Sequence, residues 1–186
     1  NSQKGCQLMA EILYKVVDAY WDEDLEILFV ANGAFKQIFR DIVGFHGIED
    51  RVAVCDFDER LSRMAYAASD FILMPSLFEP CGLPQMIAPI YGSLPVARDT
   101  GGIHDTVVHL DPDAGSGNGF LFEHYDSDGL FWAIGKAMAF HALPLSQRQA
   151  NIQRIMEHAA QTFNHRVTAR QYMDLYERML ERPLIN

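Results

Sequence analysis

An α/β fold, in which helices cover both faces of a parallel sheet, is predicted by three features of the sequence. Between residues 25 and 122, short apolar runs alternate with stretches of helical periodicity. The runs are apolar at successive positions, which is typical of strands that are buried on both faces. The chain has 186 residues, of which 49% are hydrophobic and 22% charged, and this fits one globular domain over 1–186.

Periodicity and turn residues place each element along the chain. Helices are predicted where apolar residues recur every three or four positions, at 6–19, 34–43, 59–68, 83–91, 127–141, 145–161 and 166–181. Strands are predicted at compact apolar runs, at 25–30, 51–55, 71–74, 94–97 and 120–122. Pro84 suits a first helical turn because its missing N–H is not needed there, whereas Pro89 should bend or shorten the same helix.

Charge and cysteine content exclude several classes of function. The formal net charge is −10, so the domain as a whole should not be drawn to nucleic acid or to anionic lipid. Cys6, Cys55 and Cys81 are odd in number and lack CxxC spacing, which favours reduced thiols and a cytoplasmic location. No apolar run approaches the ~20 residues that a membrane helix needs, so no membrane partner is expected.

The segment 75–102 carries the candidate chemistry. Glu79 lies in a loop between a predicted buried strand and a predicted helix start, where backbone N–H groups form a natural anion site. Those N–H groups would come from Cys81, Gly82 and Leu83, and Gly82 would let the backbone approach a ligand closely. A second turn of this kind is formed by Thr100, Gly101 and Gly102. Because parallel sheets bind ligands at the carboxyl ends of their strands, both loops should line one edge.

Two blocks of this segment resemble the signatures of bacterial glycogen synthases and plant starch synthases. They read F-E-P-C-G-L at 78–83 and R-D-T-G-G-I-H-D-T-V at 98–107. The sequence S-Q-K-G at 2–5 is similar to the turn that opens the C-terminal domain in that family. The stretch 119–123 matches the strand that follows the family's variable insert, and the resemblance extends from Ser2 to about Tyr176.

This resemblance implies a fold and an activity. The chain would be the C-terminal, Rossmann-like half of a two-lobed (GT-B) transferase. Enzymes of the family move glucose from ADP-glucose or UDP-glucose to the non-reducing end of an α-1,4-glucan and retain the anomeric configuration. The similarity to bacterial enzymes favours ADP-glucose. No cofactor is expected.

The resemblance also implies a role for each matching residue. Lys4 would neutralise the diphosphate leaving group, and Glu79 would bind a hydroxyl of the transferred glucose near its developing positive charge. Phe57, at the position where the family has an aromatic residue, usually tyrosine, would stack on the base. The remaining substrate contacts would come from the backbone of Cys81, Gly82 and Leu83, which would hold the sugar, and from Thr100, Gly101 and Gly102 beside a phosphate.

The sequence also predicts a missing partner domain. It begins with Asn1 and enters a helical pattern at once, whereas an α/β domain usually begins with a strand, so we expect a fragment of a longer protein. By the resemblance, an N-terminal domain would supply the acceptor glucan and the rest of the catalytic cleft. The isolated chain is therefore predicted to be inactive. The final helical segment, 166–186, would pack on that missing domain or on a neighbouring molecule.

A metal site is not expected, although the chain contains the Asp-x-Asp pattern that metal-dependent glycosyltransferases use. Four matches in one short acidic chain show how little the pattern discriminates, and each lies at a turn or an element boundary. The pairs are Asp22/Asp24, Asp56/Asp58, Asp111/Asp113 and Asp126/Asp128. The seven histidines show no paired ligand spacing.

Simpler interpretations of the candidate residues remain open at this point. Glu79 could cap the helix that starts at Gly82, Lys4 could be a solvated surface lysine, and Phe57 could be a core residue. Two other functions also remain open. One is a stand-alone nucleotide-sugar-binding or regulatory module without catalysis, and the other is a different retaining glucosyltransferase, such as a sucrose-type synthase.

Overall fold

The predicted α/β architecture is confirmed by a computed structural model, which describes residues 2–184. Its strands are β1 (Ile27–Val30), β2 (Val52–Cys55), β3 (Phe71–Met74), β4 (Leu94–Arg98) and β5 (Phe120–Phe122). Its helices are α1 (Cys6–Ala19), α2 (Phe35–His46), α3 (Glu59–Ala68), α4 (Pro84–Ile87), α5 (Gly102–Thr106), α6 (Ser127–His141), α7 (Leu145–Thr162) and α8 (His165–Leu180). The predicted domain 1–186 and helical segment 166–186 include residues 1, 185 and 186, which lie outside the described part of the chain.

The five strands β1–β5 pair in parallel, as predicted, but they form two sheets. In the first sheet β1 pairs with β2, and Ile27 lies opposite Val52. In the second the order is β3-β4-β5, with Phe71 opposite Leu94 and Val96 opposite Phe120. Within residues 2–184, β1 pairs only with β2 and β3 pairs only with β4, so no strand pairing joins the two sheets. Periodicity locates strands but does not specify their partners, so the division into two sheets could not be predicted from the sequence.

One hydrophobic core joins the two sheets. Helix α1 packs against both α2 and α6, and α6 packs on β4 and β5. Six side chains of α1 are buried at helical spacing, and α6 buries six more. The central, almost fully buried side chains are Leu13, Val16, Val17, Leu94, Val96, Leu130 and Ile155. A second, smaller cluster of Met74, Ala97, Ile103 and Val107 packs at the carboxyl ends of β3 and β4, the edge where ligands bind in parallel α/β sheets.

Proline and glycine explain two differences between the predicted and the observed helices. The predicted helix 83–91 is a single α-turn, α4, followed by a 3-10 segment at Ala88–Tyr91. Pro89 has no N–H to donate and therefore interrupts the α-helical hydrogen bonds. Helix α5 was not predicted, because Gly101 and Gly102 at its start are typical of a turn.

Several of the Asp-x-Asp aspartates have structural roles, in agreement with the interpretation as turns and caps. Asp58 accepts a hydrogen bond from Leu61 N at 2.7 Å and caps α3. Asp126 caps α6 through Gly129 N, also at 2.7 Å. The carboxylate of Asp111 accepts bonds within its own turn, which ends in an isolated bridge to Ser116. N-terminal caps of this kind stabilise a helix by about 1 kcal/mol each.

Helix α8 stands apart from the core. Its start is capped by Asn164, yet none of its residues is buried. Tyr172, Leu175, Tyr176 and Met179 are all at least 41% exposed along one side of the helix. No helix in the described part of the chain is long and apolar enough to span a bilayer.

Candidate functional site

Lys4 and Glu79, which are 75 positions apart in the sequence, meet in the folded chain. Lys4 Nζ lies 2.5 Å from Glu79 Oε2. The Glu79 side chain is 9% exposed and that of Lys4 is 55% exposed, so a partly solvated cation neutralises a nearly buried carboxylate. Helix α4 has no side-chain cap among residues 2–184, so Glu79 does not act as a helix cap, and its ion pair shows that Lys4 is not a freely solvated lysine.

Backbone contacts hold the first residues beside the loop that follows β3. Leu77 N donates to Gln3 O at 2.9 Å. Gly5 has a φ of 71°, and a Cβ at this position would lie 1.8 Å from Pro75 O. Only glycine fits so close an approach in a left-handed conformation. The Q-K-G turn is thereby placed so that Lys4 points at the Glu79 loop, which we define as residues 75–83.

The Glu79 loop and the glycine turn, which we define as Thr100, Gly101 and Gly102, pack backbone against backbone. Gly102 N donates to Glu79 O at 2.8 Å. A Cβ at Gly101 would lie 2.2 Å from Glu79 O, and a Cβ at Gly102 would lie 2.2 Å from Cys81 O. Both glycines are therefore required for the two loops to approach each other.

A buried glutamine supports the middle of the Glu79 loop. Gln85 is fully buried, and its Nε2 donates to Cys81 O at 2.9 Å and to Thr106 Oγ1 at 3.2 Å. Gly82 has a φ of 76°, and a Cβ there would lie 2.4 Å from Gln85 Oε1. Gly82 is thus required both by its backbone conformation and by the glutamine packed beneath it.

Five backbone N–H groups in the two loops have no hydrogen-bond partner among the described residues, and Cys81 and Leu83, which carry two of them, are exposed. Within residues 2–184, no group accepts a hydrogen bond from the N–H of Cys81, Gly82 or Leu83, or from that of Thr100 or Gly101. Helix α4 is a single turn, so these donors act as individual N–H groups and gain little from a helix dipole. The loops can therefore bind an anion or a hydroxyl-rich group.

Phe57 lies just beyond the carboxyl end of β2 and is exposed. The residue is 57% exposed, so the core-residue interpretation is wrong. Its backbone N–H donates to Asn32 Oδ1 at 3.3 Å, which ties it to the loop after β1. Next to it, Lys36 forms an ion pair with Asp56, and this hydrogen-bonded contact lowers the pKa of the Asp56 carboxyl below its ordinary value.

Asp99, which directly precedes the glycine turn, has a local partner. Its Oδ1 lies 2.7 Å from Nδ1 of His104 in α5. The hydrogen bond to Asp99, together with its negative charge, raises the pKa of His104 above its ordinary value. The acidic side chain beside the glycine turn is therefore compensated when His104 is protonated.

Three supporting residues were missed by sequence reasoning. Ser76 donates to Glu79 Oε2 at 3.1 Å, and Gln85 supports Cys81. Arg98 donates to Leu77 O and, at 3.2 Å, to Glu123 O, which fixes the Glu79 loop to the end of β4. Arg98 alone carried a visible signal, as a charged residue at the end of an apolar strand. Ser76 and Gln85 are ordinary residue types whose importance depends on the tertiary contact.

Comparison with known sequences identifies the family of the chain. The family described as "Glycosyl transferases group 1" matches residues 1–139. The chain belongs to the glycosyl transferases group 1 family. Glycogen synthase of Bacillus licheniformis is 39% identical over 185 residues, which cover 97% of this chain and 36% of that protein. Glycogen synthase of Desulforamulus reducens is 36% identical over 182 residues, which cover 96% of this chain and 36% of that protein. This group 1 chain thus spans about a third of the length of these relatives.

Solved glycosyltransferases share the fold of this group 1 chain. The catalytic domain of starch synthase IV from Arabidopsis thaliana, bound to ADP and acarbose, superposes with a TM-score of 0.75 at 32% identity. The match covers 97% of this chain and 36% of that one. Sucrose-phosphate synthase from Thermosynechococcus elongatus, at 22% identity and a TM-score of 0.69, shares the fold over 97% of this chain and 43% of its own. The resemblance to glycogen and starch synthases is confirmed.

Proposed function

We propose that the chain is the donor-binding domain of a retaining glucosyltransferase that moves glucose from ADP-glucose or UDP-glucose to the non-reducing end of an α-1,4-glucan. One observation carries the proposal. Lys4 Nζ and Glu79 Oε2 lie 2.5 Å apart beside loops that offer unpaired backbone donors. A cation, a carboxylate and several N–H groups at one edge suit a hexose attached to a diphosphate. The glycogen synthases among its relatives support this assignment.

The diphosphate is the part of the donor that gains negative charge as the glycosidic bond breaks. Lys4 neutralises this negative charge by turning away from Glu79 and toward the diphosphate. The lysine side chain can make this turn because it is long and 55% exposed. Thr100 and Gly101 add backbone donors from the glycine turn. Donors placed in advance at a developing negative charge contribute about 10²–10³ in rate each. These groups supply the charge stabilisation that a metal ion gives in other transferases, so the proposal includes no metal or cofactor.

The glucose is held by the Glu79 loop. The Glu79 carboxylate accepts a hydrogen bond from a sugar hydroxyl and stabilises the positive charge that develops at the anomeric carbon. The backbone N–H groups of Cys81, Gly82 and Leu83 donate to the other hydroxyls. Because Glu79 is nearly buried, its interaction with the sugar is screened less by water than that of a surface carboxylate.

Phe57 stacks on the base in this proposal, and its removal should weaken donor binding. Phe57→Ala is expected to cost about 1–3 kcal/mol, or roughly 5- to 150-fold in Kd, by analogy with bases stacked on aromatic side chains. Calorimetric titration with ADP-glucose and with UDP-glucose measures this cost and shows which base is preferred. Phe45→Ala is the matched control, because Phe45 is 85% exposed on α2 and lies away from the site. Unchanged affinity in Phe57→Ala would disprove the stacking.

The acceptor glucan and the other half of the cleft belong, in this proposal, to an N-terminal domain of a longer protein. Transition-state stabilisation then needs both domains around the sugar. The chain alone should bind the donor weakly and transfer no glucose, whereas the full-length enzyme should elongate a glucan primer. Incorporation of labelled glucose into glycogen measures both. Glucan elongation by the isolated chain would contradict the two-domain assignment.

Helix α8 is proposed to pack on that second domain or on a neighbouring molecule. Its apolar side chains are exposed and none is buried in this domain, so it has apolar surface to contribute to another domain or molecule.

We also propose a cytoplasmic location, since Cys6, Cys55 and Cys81 are all free thiols.

A stand-alone binding module without catalysis is the alternative function. It predicts donor affinity without any transfer activity in the longest natural form of the protein.

A further inference from the structure

Two hydrogen-bond donors of different mobility converge on one oxygen of Glu79. Lys4 Nζ lies 2.5 Å from Oε2, and Ser76 Oγ donates to the same oxygen at 3.1 Å. Lys4 is 55% exposed at its side chain, whereas Ser76 is only 2% exposed as a residue. One donor can turn away into solvent or toward a ligand, and the other cannot.

We propose that Ser76 is a positioning residue that keeps the Glu79 carboxylate oriented when Lys4 turns to the diphosphate. This inference rests on the proposed roles of Lys4 and Glu79. In the donor-free chain the carboxylate has both partners. Once Lys4 engages the leaving group, Ser76 is the side chain that still donates to Oε2. Without it, a nearly buried carboxylate would lose its fixed orientation at the moment it is needed.

The position of Ser76 is fixed by its surroundings. It follows Pro75 directly after β3, and Gly5 is packed so closely on Pro75 that a Cβ there would lie 1.8 Å from the proline carbonyl oxygen. A serine hydroxyl turns about a single side-chain torsion, so little conformational freedom is lost in holding it. Ser76 is thus a rigid donor, in contrast to the flexible lysine.

The arrangement leaves the second carboxylate oxygen for the substrate. Within residues 2–184, Lys4 and Ser76 both donate to Oε2, and no group donates to Oε1. In that part of the chain, the side-chain atoms that are fully enclosed and have no hydrogen-bond partner belong to Gln7, Gln85 and Arg154. Oε1 of Glu79 is therefore not fully enclosed. A carboxylate held at one oxygen in this way can present the other to a sugar hydroxyl.

Ser76→Ala in the full-length enzyme tests the inference. A hydrogen bond to a charged group has a strength that corresponds to about a 10- to 100-fold change in rate, so kcat should fall by that factor. The KM for the donor should change less than about threefold if Ser76 acts on orientation during transfer and adds little to ground-state binding. Ser76→Cys, which keeps a similar size and a weaker donor, should give an intermediate kcat.

Ser93→Ala is the matched control for the loss of a buried hydroxyl. Ser93 is fully buried, and its Oγ shares a 2.8 Å hydrogen bond with Ser69 Oγ, away from the Glu79 loop. Its variant should lose a similar amount of thermal stability to Ser76→Ala and keep the kcat of the parent enzyme. An equal fall in kcat for both variants would assign the Ser76 effect to general destabilisation and overturn the inference.

A double-mutant cycle with Glu79→Gln separates the role of Ser76 from that of Glu79. If Ser76 acts through the carboxylate, adding Ser76→Ala to Glu79→Gln should change kcat by less than about twofold. An additional 10- to 100-fold loss in that background, about the full effect of one charged hydrogen bond, would show that Ser76 does not act through Glu79.

The single variants separate the positioning role of Ser76 from the proposed function. If Ser76→Ala alone leaves kcat unchanged while Glu79→Gln lowers it, the positioning role fails and the proposed function stands. If Glu79→Gln leaves kcat unchanged, the proposed function itself fails.

Discussion

Glu79→Gln in the full-length protein is expected to lower glucosyl transfer by about 10²–10³-fold, which is the effect of removing one electrostatic stabiliser from an active site. The amide keeps the size and much of the hydrogen bonding of the carboxylate but removes its negative charge. Lys4 then loses its ion-pair partner in the donor-free state, although its 55% exposed side chain can be solvated by water. Steady-state rates with a glucan primer, together with thermal unfolding, measure the two effects separately.

Glu59→Gln is the control for the removal of a paired carboxylate. Glu59 forms an ion pair with Arg63 one helical turn away, and its side chain is 73% exposed. An exposed pair contributes little to stability, and a carboxylate in the first turn of a helix, where Glu59 lies, contributes about 0.3–1 kcal/mol, so this variant should match the parent enzyme in rate and melt only slightly lower. A rate for Glu79→Gln close to that of the parent would remove Glu79 from the mechanism.

Gly102→Ala is expected to destabilise the fold and the site together, although it adds only one methyl group. The added Cβ would lie 2.2 Å from Cys81 O and 2.7 Å from its carbonyl carbon, so the backbone of one loop must move. Overpacking of this kind costs about 1–3 kcal/mol, and here the atoms that must give way are backbone. The displaced Glu79 loop should also lose donor affinity. Chemical denaturation and donor titration of the same sample measure both consequences.

Gly44→Ala tests whether the loss in Gly102→Ala comes from the close approach. Gly44 lies inside α2, and the nearest atom to an added Cβ is Glu49 Oε1 at 4.0 Å. Replacing an unstrained helical glycine by alanine should stabilise the fold by roughly 0.5–1 kcal/mol. The two substitutions add the same methyl group and should change stability in opposite directions. Equal stability of Gly102→Ala and the parent protein would disprove the interlocked packing of the Glu79 loop and the glycine turn.

Local features of the sequence predict most elements of the fold. The strands β3 and β5 and the helices α3 and α6 have the predicted bounds, because periodicity and capping residues are local signals. Helix α5 could not be predicted, since its two glycines disfavour a helix and only packing against the Glu79 loop allows it. The pairing partners of the strands are equally non-local, and the two-sheet arrangement follows from them.

The candidate site could be predicted only where the family signature contains it. The resemblance placed Lys4 with Glu79, and the 2.5 Å contact between them agrees with this placement. No periodicity or spacing rule could have brought together residues so far apart in the sequence. Ser76 and Gln85 carry no local signal, because a serine after a strand and a glutamine in a short helix are both common. Their significance arises from burial beside a charged or strained loop.

The split of the sheet has a consequence for the behaviour of the chain in concentrated solution. β1 is an uncharged stretch of four apolar residues, Leu28 on it is 45% exposed, and only β2 pairs with it within residues 2–184. Unsatisfied main-chain groups beside apolar side chains act as a template for another extended segment. At high concentration that segment would come from a second copy, and intermolecular strand addition would compete with the native fold. The same physics supplies a remedy, because a lysine on the outward face of β1 would make such addition unfavourable.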